Sequence, residues 1–111
     1  MLIAKSFSNL NFLEIQTLVL LLIVIVTLII DCRQTLRIKD TPGMRETNII
    51  LGPHPRDWAI VVYFSAWVAG LTALVFFYPF AHYVFVSMLI GGIIVLECCV
   101  ICNNYILGLK L

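Results

Sequence analysis

The sequence predicts an all-α integral membrane protein with three transmembrane helices. Of its 111 residues, 62% are hydrophobic and only 12% are charged, whereas an average soluble domain carries about 25% charged residues. The apolar residues also fall into three long runs, each near the roughly 20 residues that a helix needs to cross a hydrocarbon core of about 30 Å. Because the chain has the length of one domain, we predict a single transmembrane domain over residues 1–111.

The first predicted helix covers about residues 11–38. Twelve of the thirteen residues from Leu18 to Ile30 are Leu, Ile or Val, which together favour insertion by about 4 to 7 kcal/mol. A cleavable signal peptide is the alternative interpretation. However, the basic region before the run holds only Lys5, Glu14 precedes the run, and no small-x-small cleavage site follows it. We therefore expect this helix to be retained.

The second predicted helix covers about residues 56–78 and the third about residues 82–107. The segment from Trp58 to Tyr78 contains no ionisable acid or base. The third run is interrupted by Glu97, whose cost of about 2.5 to 3.5 kcal/mol near the membrane centre is outweighed by its Ile, Val and Leu neighbours. The short YPFAH connection between the two runs predicts a tight antiparallel hairpin of helices 2 and 3.

The distribution of lysine and arginine predicts the orientation of the spans. Six of the seven basic residues lie in or beside the predicted loop at about 39–55, or in the C-terminal tail, and Lys5 lies on the other side. The six are Arg33, Arg37, Lys39, Arg45, Arg56 and Lys110. By the positive-inside rule the loop and the C-terminus are cytoplasmic and the N-terminus is outside. The predicted location is the cell (inner) membrane.

Polar residues collect at the predicted cytoplasmic end of the helices and form a candidate polar or ligand site. At a rise of 1.5 Å per residue, Glu97 lies roughly 8 Å inside the membrane boundary, so it should face other helices, be paired or be protonated. The loop segment around Glu46 is expected to return towards Asp31. The predicted set is Asp31, Gln34, Thr35, Glu46, Asn48, Glu97 and Asn104. Three interpretations of this set remain open. It could bind an ion, a proton or a ligand, it could form interhelical or intersubunit hydrogen bonds, or its loop part could be a capped surface loop.

Three pairs of small residues are spaced four apart on the predicted second and third helices. They are Ala66 with Gly70, Ala69 with Ala73, and Ser87 with Gly91. This spacing lets membrane helices approach closely, so it predicts helix packing at these positions. The alternative is chance, because Gly, Ala and Ser are frequent in membrane helices.

The sequence predicts neither a catalytic site nor a bound metal or cofactor. Cys98, Cys99 and Cys102 lie within one continuous helix, where they cannot converge on a metal as a CxxC turn does. No Gly-rich phosphate loop, HExxH or GxSxG pattern occurs. The basic residues of the loop alternate with acidic ones, so contact with anionic lipid headgroups is favoured over nucleic-acid binding. The expected partners are the lipid bilayer and other membrane protein subunits or further copies of this chain.

The segment from about Asp31 to Phe64 contains the patterns D31-x-x-Q34-T35, E46-T47-N48-x-x-L51-G52-x-H54-P55 and Tyr63-Phe64. With these patterns it resembles a family of uncharacterised small multi-helix membrane proteins of bacteria and their phages. Ile49 stands where members of that family usually have a proline. The family has no established activity, so the resemblance implies only that the polar set belongs to a shared fold or site.

Three functions remain open at the level of the sequence. The first is a non-enzymatic accessory or structural subunit of a membrane complex, or a homo-oligomer. The second is a pore former similar to a three-span phage holin, although the C-terminal tail is short and barely charged where such holins are strongly basic. The third is a small ion-binding or ligand-binding bundle centred on Glu97.

Overall fold

The three apolar runs form three α-helices. A computed structural model of the chain describes residues 9–38, 56–77 and 83–108. Within these ranges lie α1 (Phe12–Leu36), α2 (Asp57–Phe77) and α3 (Tyr83–Ile106). Each helix is long and apolar enough to cross a membrane, which confirms the prediction of three such helices in an all-helical chain. The predicted loop with Glu46 and Asn48, and the YPFAH connection, lie outside the described residues.

The start of α1 is fixed by a capping box. The backbone N–H of Glu14 donates to Oδ1 of Asn11 at 2.9 Å, and the backbone N–H of Asn11 donates to Oε1 of Glu14 at 3.4 Å. This reciprocal pair satisfies backbone donors that have no partner within the helix. At the other end the backbone N–H of Arg37 donates to the carbonyl of Gln34 at 3.1 Å, and α1 ends there.

The first helix is the centre of the fold, and α3 is its main neighbour. Contacts of α1 with α3 are the most extensive, those with α2 are fewer, and α2 and α3 share few. Thr17 and Ser87 meet near the first turns of α1 and α3, while Gln34 and Asn104 meet near their last turns. Because like ends meet, α1 and α3 run parallel.

The buried side of α1 follows the spacing of a coiled coil. The positions alternate three and four residues apart, which keeps one seam of a helix against a neighbour that crosses at a small angle. The residues at this spacing are Glu14, Thr17, Leu21, Val24, Leu28, Asp31 and Thr35. The middle of the seam is apolar, and both ends are polar.

The second helix joins the core through large apolar side chains. Ile60, Phe64, Leu71 and Val75 are buried and belong to the same cluster as the apolar middle of α1. At its C-terminal end, the carbonyl of Val75 accepts a hydrogen bond of 3.5 Å from the Tyr83 hydroxyl. The end of α2 therefore lies beside the start of α3.

On α2, the small residues predicted to pack helices together do not pack against another helix of the described ranges. Ala66, Ala69, Gly70 and Ala73 are all exposed. A Cβ added at Gly70 would meet no other atom within 4 Å. The reason is the rotation of α2, which turns its large side chains towards α1 and its small ones outwards.

The two small residues of α3, Ser87 and Gly91, differ in burial. Ser87 is buried against α1, as close packing requires. Gly91 is half-buried, and a Cβ added there would meet nothing within 4 Å. Ser87 therefore contacts α1 through its hydroxyl, and the glycine does not bring the two backbones together.

Candidate functional site

Apart from Thr27, whose hydroxyl donates to the Val24 carbonyl of its own helix, the buried polar side chains of α1 lie in two groups along its interface with α3. The C-terminal polar cluster consists of Asp31, Gln34 and Thr35 of α1 with Glu97 and Asn104 of α3. The N-terminal polar group consists of Glu14, Thr17 and Ser87. Polar groups in an apolar environment are costly unless they are paired, so each group must be satisfied across the helix interface.

Gln34 connects α1 to α3 through both ends of its amide. Its side chain is completely buried. Nε2 donates to the backbone carbonyl of Ile101 at 3.3 Å, and Oε1 accepts from Nδ2 of Asn104 at 3.3 Å. Two hydrogen bonds from one side chain fix both the register and the rotation of the helices at this end.

Asp31 and Thr35 face the same interface one helical turn apart. The Thr35 hydroxyl donates to the carbonyl of Asp31 at 2.8 Å and lies 3.3 Å from its Oδ1. Both side chains are almost fully buried, with 8% of Asp31 and 2% of Thr35 exposed. Thr35 therefore holds the Asp31 carboxyl towards the interface.

Glu97 faces Asp31 from α3. The two carboxyl groups lie close enough to influence each other. Oε2 of Glu97 is buried and has no hydrogen-bond partner within the part of the chain that the structure describes. Two like charges in a medium of low dielectric constant repel strongly. A proton or a small cation held between the carboxyl groups would remove that repulsion.

The N-terminal polar group is smaller and contains one carboxyl group. The hydroxyls of Thr17 and Ser87 are 2.7 Å apart, and Thr17 also donates to the carbonyl of Leu13 at 2.8 Å. Glu14 is completely buried and forms the capping box described above. This group joins the N-terminal parts of α1 and α3, as the C-terminal polar cluster joins their C-terminal parts.

The structure brings together five of the seven residues predicted for the polar site. Asp31, Gln34 and Thr35 meet Glu97 and Asn104, as described above. Glu46 and Asn48, the other two, lie outside the described residues.

Sequence reasoning missed the N-terminal polar group. From the sequence, Glu14 counts only as evidence against a signal peptide, and no role in helix packing is predicted for Thr17. Glu14 and Thr17 precede Leu21, Val24 and Leu28 at the same alternating spacing. However, residues 18–30 are apolar at every position except Thr27, so the sequence does not mark those three as the buried side of α1.

The cysteines of α3 lie away from the polar cluster. Cys98, Cys99 and Cys102 are exposed, and Cys32 of α1 is half-buried. Among residues 9–38, 56–77 and 83–108, no three His, Cys, Asp or Glu side chains converge in a way that could hold a metal ion. The groups gathered in the C-terminal polar cluster are two carboxyls, two amides and a hydroxyl, all suited to hydrogen bonding or to binding a proton or small cation.

Comparison of the chain with protein family models, with curated proteins and with solved structures finds no match. The helices and their two polar groups are therefore the basis for any proposal about function.

Proposed function

We propose that this chain is a small, non-enzymatic integral membrane protein of the cell (inner) membrane that acts as an accessory or structural subunit. It associates with other membrane proteins or with further copies of itself. The observation that carries the proposal is the outward face of α2, where Ala66, Ala69, Gly70 and Ala73 are exposed rather than packed within the chain. We also propose that the chain is related to the uncharacterised family that it resembles.

The proposed topology has three spans, with the N-terminus outside and the C-terminus in the cytoplasm. It is supported by the parallel arrangement of α1 and α3, because two parallel spans need one antiparallel span between them. The contact of Tyr83 with the end of α2 supports the antiparallel hairpin. Exposed Arg33 and Arg56 flank the proposed cytoplasmic loop, as the positive-inside rule requires.

Reporter fusions to the C-terminus test this topology. A fluorescent protein that matures only in the cytoplasm should be bright, and a phosphatase that is active only outside should be inactive. Resistance of the chain to extraction by alkaline carbonate tests insertion itself. An active phosphatase fusion would refute the orientation, and release of the protein by carbonate would refute insertion.

The outward face of α2 has the shape that a second helix needs for close approach. Ala66 and Gly70 line a shallow depression of about 320 Å³ between the side chains of Tyr63, Trp67 and Leu71. Small residues four apart allow two membrane backbones to come close, where van der Waals contacts drive association. Filling this depression should therefore separate the partners.

Substitution of glycine by leucine tests the association, and the chain offers a matched control. Gly70 on α2 and Gly92 on α3 are both exposed, and a Cβ at either meets nothing within 4 Å. In mild detergent, light scattering measures the oligomer, and co-purification detects a partner protein. Gly70→Leu should abolish the oligomer or the co-purification of the partner, while Gly92→Leu should preserve the same association. A wild-type protein that is strictly monomeric and has no partner would contradict the proposal.

A second candidate function is an ion-binding or proton-binding bundle centred on Glu97. It is favoured by one observation, the unpartnered buried Oε2 of Glu97 opposite the Asp31 carboxyl. In proteoliposomes, Glu97→Gln should change proton or cation flux, because it removes the charge and keeps the shape. Asn103→Asp, which changes charge at an exposed position of the same helix, is the control. Unaltered flux together with an unaltered fold would assign Glu97 a structural role.

A further inference from the structure

A groove between α1 and α2 shares no lining residue with either polar group. Its α1 wall runs from Ile25 to Arg33, and its α2 wall from Val61 to Ala69. The groove is open to the surface and has a volume of about 390 Å³. Sites that bind small ligands usually measure about 300 to 1,000 Å³, so this groove has room for part of a ligand.

The groove is apolar along its length and cationic at one end. Its lining is mostly Ile, Leu, Val, Phe and Ala, with Ser65 and Cys32 as its neutral polar members and Arg33 as its charged one. Arg33 is exposed and makes no ion pair or hydrogen bond through its side chain with other residues of the described ranges. The guanidinium is therefore at the surface, at the mouth of the groove.

The length of the groove matches one leaflet of a bilayer. Arg33 follows Ile25 by eight positions along α1, which corresponds to about 12 Å of helix. One leaflet contributes about half of the roughly 30 Å hydrocarbon core. A chain that enters beside Arg33 and lies against Ile25 would reach most of the way to the membrane midplane.

We propose that this groove binds an anionic phospholipid, with one acyl chain between α1 and α2 and the phosphate at Arg33. Arginine recognises phosphate through two parallel N–H donors, and the apolar walls cover the chain. The site extends the proposed function, because it requires that α1 and α2 lie in a membrane with Arg33 at the headgroup level. Ala69 lies both in the groove and on the outward face of α2, but the lipid site does not require the association proposed for that face.

The charge of the headgroup should set the selectivity of the site. One cation near an anionic membrane surface contributes about 1 kcal/mol, which corresponds to about a fivefold preference over a zwitterionic lipid. Arg33→Gln should remove this preference and leave the apolar walls intact. Arg56→Gln is the matched control, because Arg56 is also exposed near the same end of the helices but does not line the groove.

Native mass spectrometry of the full chain tests the proposal. The protein is reconstituted in nanodiscs that contain equal amounts of phosphatidylglycerol and phosphatidylcholine, and the lipid retained after release is counted. Wild type and Arg56→Gln should each retain one phosphatidylglycerol about five times as often as phosphatidylcholine, whereas Arg33→Gln should retain both equally. Equal retention of the two lipids by wild type would overturn the proposal, as would an unchanged preference in Arg33→Gln.

A second variant and a labelling experiment locate the lipid. Ser65→Phe should fill the groove and lower the retention of both lipids, while Val62→Phe, at an exposed position of the same helix outside the groove, should not. A phosphatidylglycerol with a diazirine on its acyl chain should label residues 25–33 and 61–69 more than the exposed side of α3. Uniform labelling, or a dimer that retains no lipid, would refute the site. Carbonate extraction of the same variants reports separately on membrane insertion.

Discussion

Replacement of Gln34 by leucine should weaken the contact between α1 and α3 at one end of the protein. The change gives a slightly shorter, apolar side chain and removes the interhelical hydrogen bonds to the Ile101 carbonyl and to Asn104. Interhelical hydrogen bonds in membrane proteins contribute about 0.6 kcal/mol each on average. The expected loss is therefore about 1.2 kcal/mol, or about an eightfold fall in the folding equilibrium constant.

Reversible unfolding in mixed micelles measures this loss directly. Gln16→Leu is the matched control, because Gln16 lies on the same helix with its side chain exposed, and its substitution should change the free energy of unfolding by less than about 0.5 kcal/mol. A double-mutant cycle of Gln34→Leu with Asn104→Leu should give a coupling energy of about 0.6 kcal/mol. Zero coupling, or an equal loss in the Gln16 control, would refute the bridging role of Gln34.

Two further predictions concern the rest of the α1–α3 seam. Thr17→Val should lower the free energy of unfolding by about 0.6 kcal/mol, because it removes the hydrogen bond to Ser87. Adding Ser87→Ala should cost little more, and fully additive losses would show that the two hydroxyls act independently. Val24→Ala should cost about 1 to 2 kcal/mol through the cavity that it leaves at a completely buried position. Val26→Ala at an exposed position should cost almost nothing in the same assay, and similar losses at both positions would argue against the assigned seam.

The C-terminal polar cluster could be predicted from the sequence because helix geometry is regular. Asp31 and Thr35 are four residues apart, and Glu97 and Asn104 are seven apart, so each pair shares one face of its helix. Polar residues near the end of an apolar run must find partners. These two rules bring the four side chains to the same end of the bundle without any knowledge of the packing.

Whether the small residues of α2 face another helix of this chain could not be predicted from their spacing. The spacing of Ala66 and Gly70 indicates that a backbone could approach closely there, but not whether the partner is within the chain. The buried face of α2 is instead the one with Phe64 and Leu71. That choice depends on the rotation of α2 about its axis, which large side chains determine by filling the space beside α1.

The sequence by itself determined the number of helices, their approximate ends and the side of α1 that carries polar groups. These features follow from the length of apolar runs and from the rise of a helix. Only the tertiary structure decided that α1 is the central helix, that α3 packs along it in parallel, and that Glu14 and Thr17 are buried. The physical reason is that these helices are apolar on nearly every side, so hydrophobicity does not distinguish a face that meets another helix from one that meets lipid.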